Sequence, residues 1–334
     1  MSSTAAHWRA PCLRLAIAPL AAMGLGFTLG QPLPFLVGIF VILLLMMFPG
    51  RPPLALLLKL LLLVLATSLL VALLARITGN QPVAFWLAMA ALCATAFARL
   101  ARNQADLPGM LILLVASLSM VLVQLDVSLP THIAWLMGGA FAEAYLWCLL
   151  AHALWPGPLP MSQTEAATQV QGSAWSVLAK TLALLLALWL ALLLKDNSAV
   201  LIGATLANLL RASDASLVRQ QGNQLLYSNL LGALVALPVV LLCGIFFHPV
   251  IATLLCLCGS LWLTGRLALG TAKPLIQTAL TVYLALIGSA LPKLDQGFWI
   301  LSDRVLTVLI TGLYCLLVMR LIHPIPTAEK PTAP

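Results

Sequence analysis

Residues 54–76 read LALLLKLLLLVLATSLLVALLAR, with Lys59 the one charge before the closing Arg76. Coiled as a helix at 1.5 Å per residue, this run reaches about 34 Å, enough to cross about 30 Å of hydrocarbon. Its leucines and alanines fall on every face, with no polar stripe for water. A helix that is apolar all round is buried or lies in lipid. Lys59 sits about a turn inside the run, where its stem either snorkels to the interface or faces an anion path.

Working outward, Pro, Gly, Asn and charge divide the rest of the chain into similar runs. Spans are expected at 12–30, 33–48, 54–76, 83–100, 107–125 and 131–155, then at 173–195, 197–211, 225–247, 249–267, 272–291 and 300–322. The runs 33–48 and 197–211 are short, and would be tilted, broken or partly inserted. Leu/Ala enrichment favours helices over a barrel, which would show alternating ten-residue segments. The expected fold is therefore all-α, a polytopic membrane bundle of about twelve helices.

Composition agrees. Of 334 residues, 62% are hydrophobic and 8% charged, and the mean hydropathy is +1.07. A soluble chain carries about 25% charge, so a water-soluble enzyme is excluded. Disorder is excluded as well, because it requires low hydrophobicity and high charge. The net charge of +8 comes from single basic residues between apolar runs, a topology signal rather than a nucleic-acid surface. With a cytoplasmic N-terminus, Arg76, Lys195, Lys293 and Arg304 fall on the far side, and the other basic residues fall on or near the cytoplasmic side. That asymmetry places both termini in the cytoplasm and requires an even number of spans. The first 30 residues imitate a signal peptide but carry no clean cleavage site, so they read as the first span. The seven cysteines all lie in apolar runs, against disulfides and zinc; Cys256 and Cys258 point to opposite sides of a helix.

The halves echo each other at a spacing of about 167 residues. Arg14 matches Lys180, Pro82-Val83 matches Pro249-Val250, Arg99-Leu100-Ala101 matches Arg266-Leu267-Ala268, and Trp155-Pro156 matches His323-Pro324. The expected organisation is a six-helix repeat at 1–157, a cytoplasmic connector at 158–172, a parallel second repeat at 173–324 and a disordered tail at 325–334. Transporters often place a substrate path between such halves; the alternative is a duplicated structural bundle without a path.

Polar residues inside apolar runs are the candidate sites. Glu143 lies mid-run, and a lone acid there costs about 2.5–3.5 kcal/mol on insertion scales. It either couples proton movement or is a protonated carboxyl bonded to a neighbouring helix. His152, nine positions on, is too far along the helix to touch it. Arg14 and Lys180, at matched positions, either line a vestibule for anions or anchor their helices; with Lys59 they are the anion-binding candidates. Asn208, Asn229 and Gln277 are polar path candidates, or interhelical hydrogen-bond partners. The prolines Pro34, Pro82, Pro238 and Pro274 mark span starts or bends. No protease, hydrolase or nucleotide-binding motif is present, so no enzymatic activity, cofactor or metal is expected. A lipid-acting enzyme would need clustered acids or histidines, which the sequence does not offer.

The runs Gln31-Pro32-Leu33-Pro34-Phe35-Leu36-Val37-Gly38 and Phe48-Pro49-Gly50-Arg51-Pro52-Pro53 resemble the first hairpin of the fusaric-acid-resistance-like and aromatic-acid-exporter membrane proteins. Gln220-Gln221-Gly222-Asn223 followed by Asn229-Leu230-Leu231-Gly232 resembles the charged loop and Gly-containing helix of their second half. The resemblance implies a compact inner-membrane efflux component of Gram-negative bacteria, without the large cytoplasmic domain of bigger members. It implies a haemolysin-D-type periplasmic adaptor and an outer-membrane channel as partners, membrane lipid around the chain, a small aromatic or amphipathic organic anion as substrate, and room for a homo-oligomer. The competing expectation is a membrane anchor or assembly factor for the adaptor that transports nothing itself.

Overall fold

A computed structural model describes residues 3–48, 50–79, 81–103, 106–125, 132–157, 174–193, 202–203, 215–245, 248–268 and 273–291, positions 206 and 210, and scattered positions between 302 and 318. These residues form ten helices and no strand: α1 (Ser3–Thr28), α2 (Pro34–Met47), α3 (Leu54–Ile77), α4 (Pro82–Arg102), α5 (Leu107–Leu125), α6 (Ile133–Leu154), α7 (Ala174–Leu193), α8 (Ala215–Ile245), α9 (Pro249–Ala268) and α10 (Lys273–Ala290). Eight contain a stretch long and apolar enough to cross a membrane, and α2 and α10 are shorter. The chain is a multi-pass helical membrane protein.

Helix starts follow local chemistry. Pro34, Pro82 and Pro249 open α2, α4 and α9, where proline's missing N–H costs nothing and its φ already suits a helix. Pro238 instead lies inside α8. That helix begins at Ala215, ten residues before the expected span. The Gln220–Asn223 stretch is therefore helical rather than a loop, since Arg219, Gln220, Gln221 and Gln224 are good helix formers and outweigh Gly222 and Asn223. The runs 197–211 and 300–322 lie largely outside the described residues, as do the connector and the tail.

Packing on α3 shows the logic of the bundle. Leu57, Leu60, Val64, Ser68 and Val71 are buried at helical spacing, while Leu58, Leu62, Leu69 and Leu73 are exposed. The outward face is at least as apolar as the inward one, and the buried face holds the hydroxyls of Thr67 and Ser68. Lipid as the outer solvent explains that inversion: water no longer sorts polar from apolar, and close packing decides which face turns in.

At the centre is α2. Its 14 residues rise only about 21 Å, and nearly all are buried. It packs on α1, α6 and α10, and Phe40 meets Phe141 of α6 edge to face, with ring centroids 5.5 Å apart. Around it, α3 packs on α5 and α6, α1 on α9, α4 on α5 and α7, and α10 on α8 and α9.

At the α4–α5 connection, Asp106 accepts hydrogen bonds from Arg99 Nε at 2.8 Å and from the Gly109 N–H at 2.9 Å. The second bond satisfies a free donor in the first turn of α5. The Arg99 guanidinium holds the Asp106 carboxyl below its usual range, with the Gly109 bond helping and partial burial opposing. A depressed pKa contributes stability that is complete above the unfolded value, near 3.9, and is lost as pH falls through the folded value. Melting measured in detergent should thus drop below about pH 4, and Asp106→Asn should flatten part of that drop. The effect is small because Arg99 is largely exposed.

Candidate functional site

The site is built on α6 and on the turn between α1 and α2. α1 ends in a closed cap. Gly30 has φ +65, a left-handed conformation that glycine adopts without a Cβ penalty. Its N–H donates to Phe27 O at 3.1 Å, and the next N–H, of Gln31, donates to Gly26 O at 2.9 Å. This pair of bonds is the Schellman arrangement, which satisfies carbonyls otherwise left open at a helix end. Gly26 lets the turn fold back, because a Cβ there would come within 2.7 Å of Gln31 Oε1 and 2.8 Å of Pro34 Cβ.

The cap aims Gln31 at α6. Gln31 Nε2 donates to Glu143 Oε2 at 2.8 Å, across 112 residues of sequence. Glu143 is ten positions from the start of α6 at Ile133, about 15 Å along the axis, and eleven from the end at Leu154. The α1–α2 turn is thus drawn to within side-chain reach of mid-α6. The other carboxylate oxygen, Glu143 Oε1, is buried and meets no hydrogen-bond partner among the described residues. A carboxyl with one oxygen held and the other unclaimed, away from bulk water, can take up and release a proton or accept a bond from a passing ligand.

At the other end of α6 lies Arg14, which is fully buried. Its Nη1 donates to Gly157 O at 3.2 Å and to Trp155 O at 3.5 Å. A cation on the carbonyl end of a helix is favoured by the helix dipole as well as by the bonds. These bonds join α1 to the end of α6. Arg14→Ala should lower stability by about 2–4 kcal/mol, from lost packing and orphaned carbonyls, read as a fall in melting temperature in detergent. Arg14→Lys should recover part of it.

Lys180 is buried on α7, and Lys59 is exposed on α3 beside Leu58 and Leu62, as a snorkelling lysine would be. Among the described residues, α1, α3 and α7 share no substantial interface. Asn229 is buried on α8, with neither amide atom hydrogen-bonded among the described residues. Gln277 is half-buried on α10, and its backbone carbonyl accepts from Thr281 Oγ1 at 2.9 Å. Asn208 lies outside the described residues. Cys256 is buried and Cys258 exposed, on opposite sides of α9. No group of three metal-ligating side chains occurs among the described residues.

Gln31 is the partner of Glu143 that the sequence did not point to. Its signal was an amide set in a Gly-Gln-Pro turn between two apolar runs, visible only as part of a hairpin pattern. Nothing local indicates a partner 112 residues away.

Residues 11–146 match the model of a family described as a protein of unknown function, DUF2955. The match is to less than half of the chain, and it takes in both Gln31 and Glu143. No curated protein and no solved structure matches the chain.

Proposed function

We propose that the chain is a proton-coupled carrier of the bacterial inner membrane, exporting small aromatic or amphipathic organic anions, with both termini cytoplasmic. In this reading it is built of twelve helices in two parallel six-helix repeats. It works with a periplasmic adaptor of the haemolysin-D type and an outer-membrane channel, as the resemblance to the fusaric-acid-resistance-like exporters implies.

Recurrent packing supports the two repeats. Gly38 on α2 lies against Leu284 on α10, and Gly203 lies against Ser117 on α5, so residues about 167 apart exchange places between the halves. The pairing of α1 with α9 is likewise mirrored by that of α4 with α7. Such exchange is what a twofold axis along the membrane normal produces, and carriers of this design move one repeat against the other.

The observation that carries the coupling is the half-satisfied carboxyl of Glu143, a costly group mid-way along a span, held by one amide. An intramembrane acid is retained where it moves charge or protons. Apolar helix faces accept the ring of an aromatic anion, and its carboxylate crosses as the proton moves the other way.

The test is flux. Purified chain in proteoliposomes should move a labelled aromatic carboxylate when a pH gradient is imposed and stop when a protonophore is added. No flux, with the chain still capturing the adaptor, would reject the carrier in favour of a non-transporting anchor.

A further inference from the structure

We infer that Gln31 is the positioning residue for Glu143, and that their hydrogen bond is a latch: it holds the α1–α2 hairpin to α6 while the carboxyl is ionised and releases it on protonation. The inference deepens the carrier reading and rests on it for its role in transport, though not for its geometry.

Three observations make the hairpin a movable unit. First, α1 contains Pro19, which removes one ladder bond and so weakens the helix at that turn. Second, the two sides of that proline are held differently. On the inner side, Cys12 Sγ bonds Thr264 O, Ser260 Oγ donates to Ala16 O, and Arg14 grips the end of α6. On the outer side, from Leu20 through the turn, the single side-chain hydrogen bond to another helix among the described residues is Gln31 to Glu143. Third, the hairpin's other flank rests on α10 through close packing alone: a Cβ at Gly288 would meet Phe35 Cβ at 2.6 Å and Met23 Sδ at 3.3 Å. When the latch lets go, the outer end of the hairpin is held by packing alone, on α10 and on α6. In the carrier reading, the seam against α6 lies inside the first repeat, between α6 and the α1–α2 hairpin.

The trigger is the charge on the acceptor. A carboxylate accepts a charge-assisted hydrogen bond, about twice as strong as the neutral bond a protonated carboxyl accepts. Other groups do not supply that charge change. Of the helices packed on α6, α2 and α5 carry no titratable side chain. α3 carries Lys59 and Arg76, both exposed, and the described side chains of α1 contribute Cys12 and Arg14 at its inner end. On α6 itself, Cys148 and His152 contact each other near its inner end, and Tyr145 faces away from Glu143 two positions on.

A measurement without substrate tests the latch. Ala144 is fully buried on the face of α6 that carries Phe141, so Ala144→Cys reports opening of the seam to an impermeant methanethiosulfonate. The parent chain, with exposed Cys258, serves as the blank, and rates at each pH are divided by those of the denatured chain. Labelling should rise about fivefold on acidification, the ratio expected when a charge-assisted bond gives way to a neutral one. The rise should vanish in Glu143→Gln and in Gln31→Leu, both being fast at every pH. It should return in the exchanged pair Gln31→Glu with Glu143→Gln, which rebuilds the amide–carboxylate bond with its ends reversed. A role in packing alone predicts no rescue by the exchange. Labelling that ignores pH, or a pH response that survives Gln31→Leu, would overturn the latch. Absent flux with the labelling response intact would remove the carrier reading and leave the latch standing; flux with flat labelling would do the reverse.

Discussion

Glu143→Gln is expected to abolish pH-gradient-driven export in proteoliposomes while leaving the folded chain in place. The substitution keeps the shape of the side chain, and Gln31 Nε2 can donate to the new amide oxygen as it does to Glu143 Oε2 at 2.8 Å. Melting should therefore move by no more than about 1 kcal/mol, the net worth of one neutral hydrogen bond. The proton is another matter. An amide does not titrate in the accessible range, so the cycle loses its coupling step and flux should fall to the level of empty vesicles. Counterflow of substrate without a gradient is the companion measurement. A coupling role predicts that exchange survives where gradient-driven accumulation does not, while undiminished accumulation would reject the role for Glu143.

A large loss of stability is expected at Gly232, where α8 meets α10. A Cβ there would lie 2.5 Å from Ala279 O, 3.2 Å from Val282 Cβ and 3.3 Å from Tyr283 N. Two of the three are backbone atoms, which cannot rotate aside, so the helices must separate. Gly232→Ala should cost about 2–3 kcal/mol, and Gly232→Leu should prevent assembly. The control is Gly265→Ala on α9, where nothing lies within 4 Å of the new atom. It should melt at or above the parent, by up to about 1 kcal/mol of helix propensity. Gly138→Ala falls between, since the atom it meets is the flexible end of Leu65. Should Gly232→Ala and Gly265→Ala melt together, the α8–α10 seam is not the close contact described.

Much of the architecture was legible before any coordinates. The expected spans at 107–125, 83–100 and 249–267 agree with α5, α4 and α9 to within two residues. Proline at a helix start and polar residues between apolar runs are local signals. The expected span 225–247 holds the apolar stretch Tyr227–Ile245 of α8; what differed is Gln220–Asn223, which the resemblance cast as a loop and which is helical. At the site, Glu143 was legible as an acid out of place. The burial of Arg14 against Gly157 O and Trp155 O was not. A lone arginine near a span start looks the same whether it faces a vestibule or caps a helix, and only the neighbour decides.

By itself the sequence determined that this protein is a set of apolar helices for a bilayer, and near which residues they begin and end. Hydrocarbon offers no partner for a bare peptide group, so each segment must close its hydrogen bonds within itself, and that requirement is written in consecutive residues. Tertiary structure alone decided that a short, wholly apolar α2 lies at the centre, that Arg14 closes α6, and that Gln31 reaches Glu143 across 112 residues. In lipid both faces of a helix are apolar, so hydropathy cannot say which face turns inward. That choice falls to the fit of small residues and to a few buried polar groups finding one another, and both exist only once distant segments have packed.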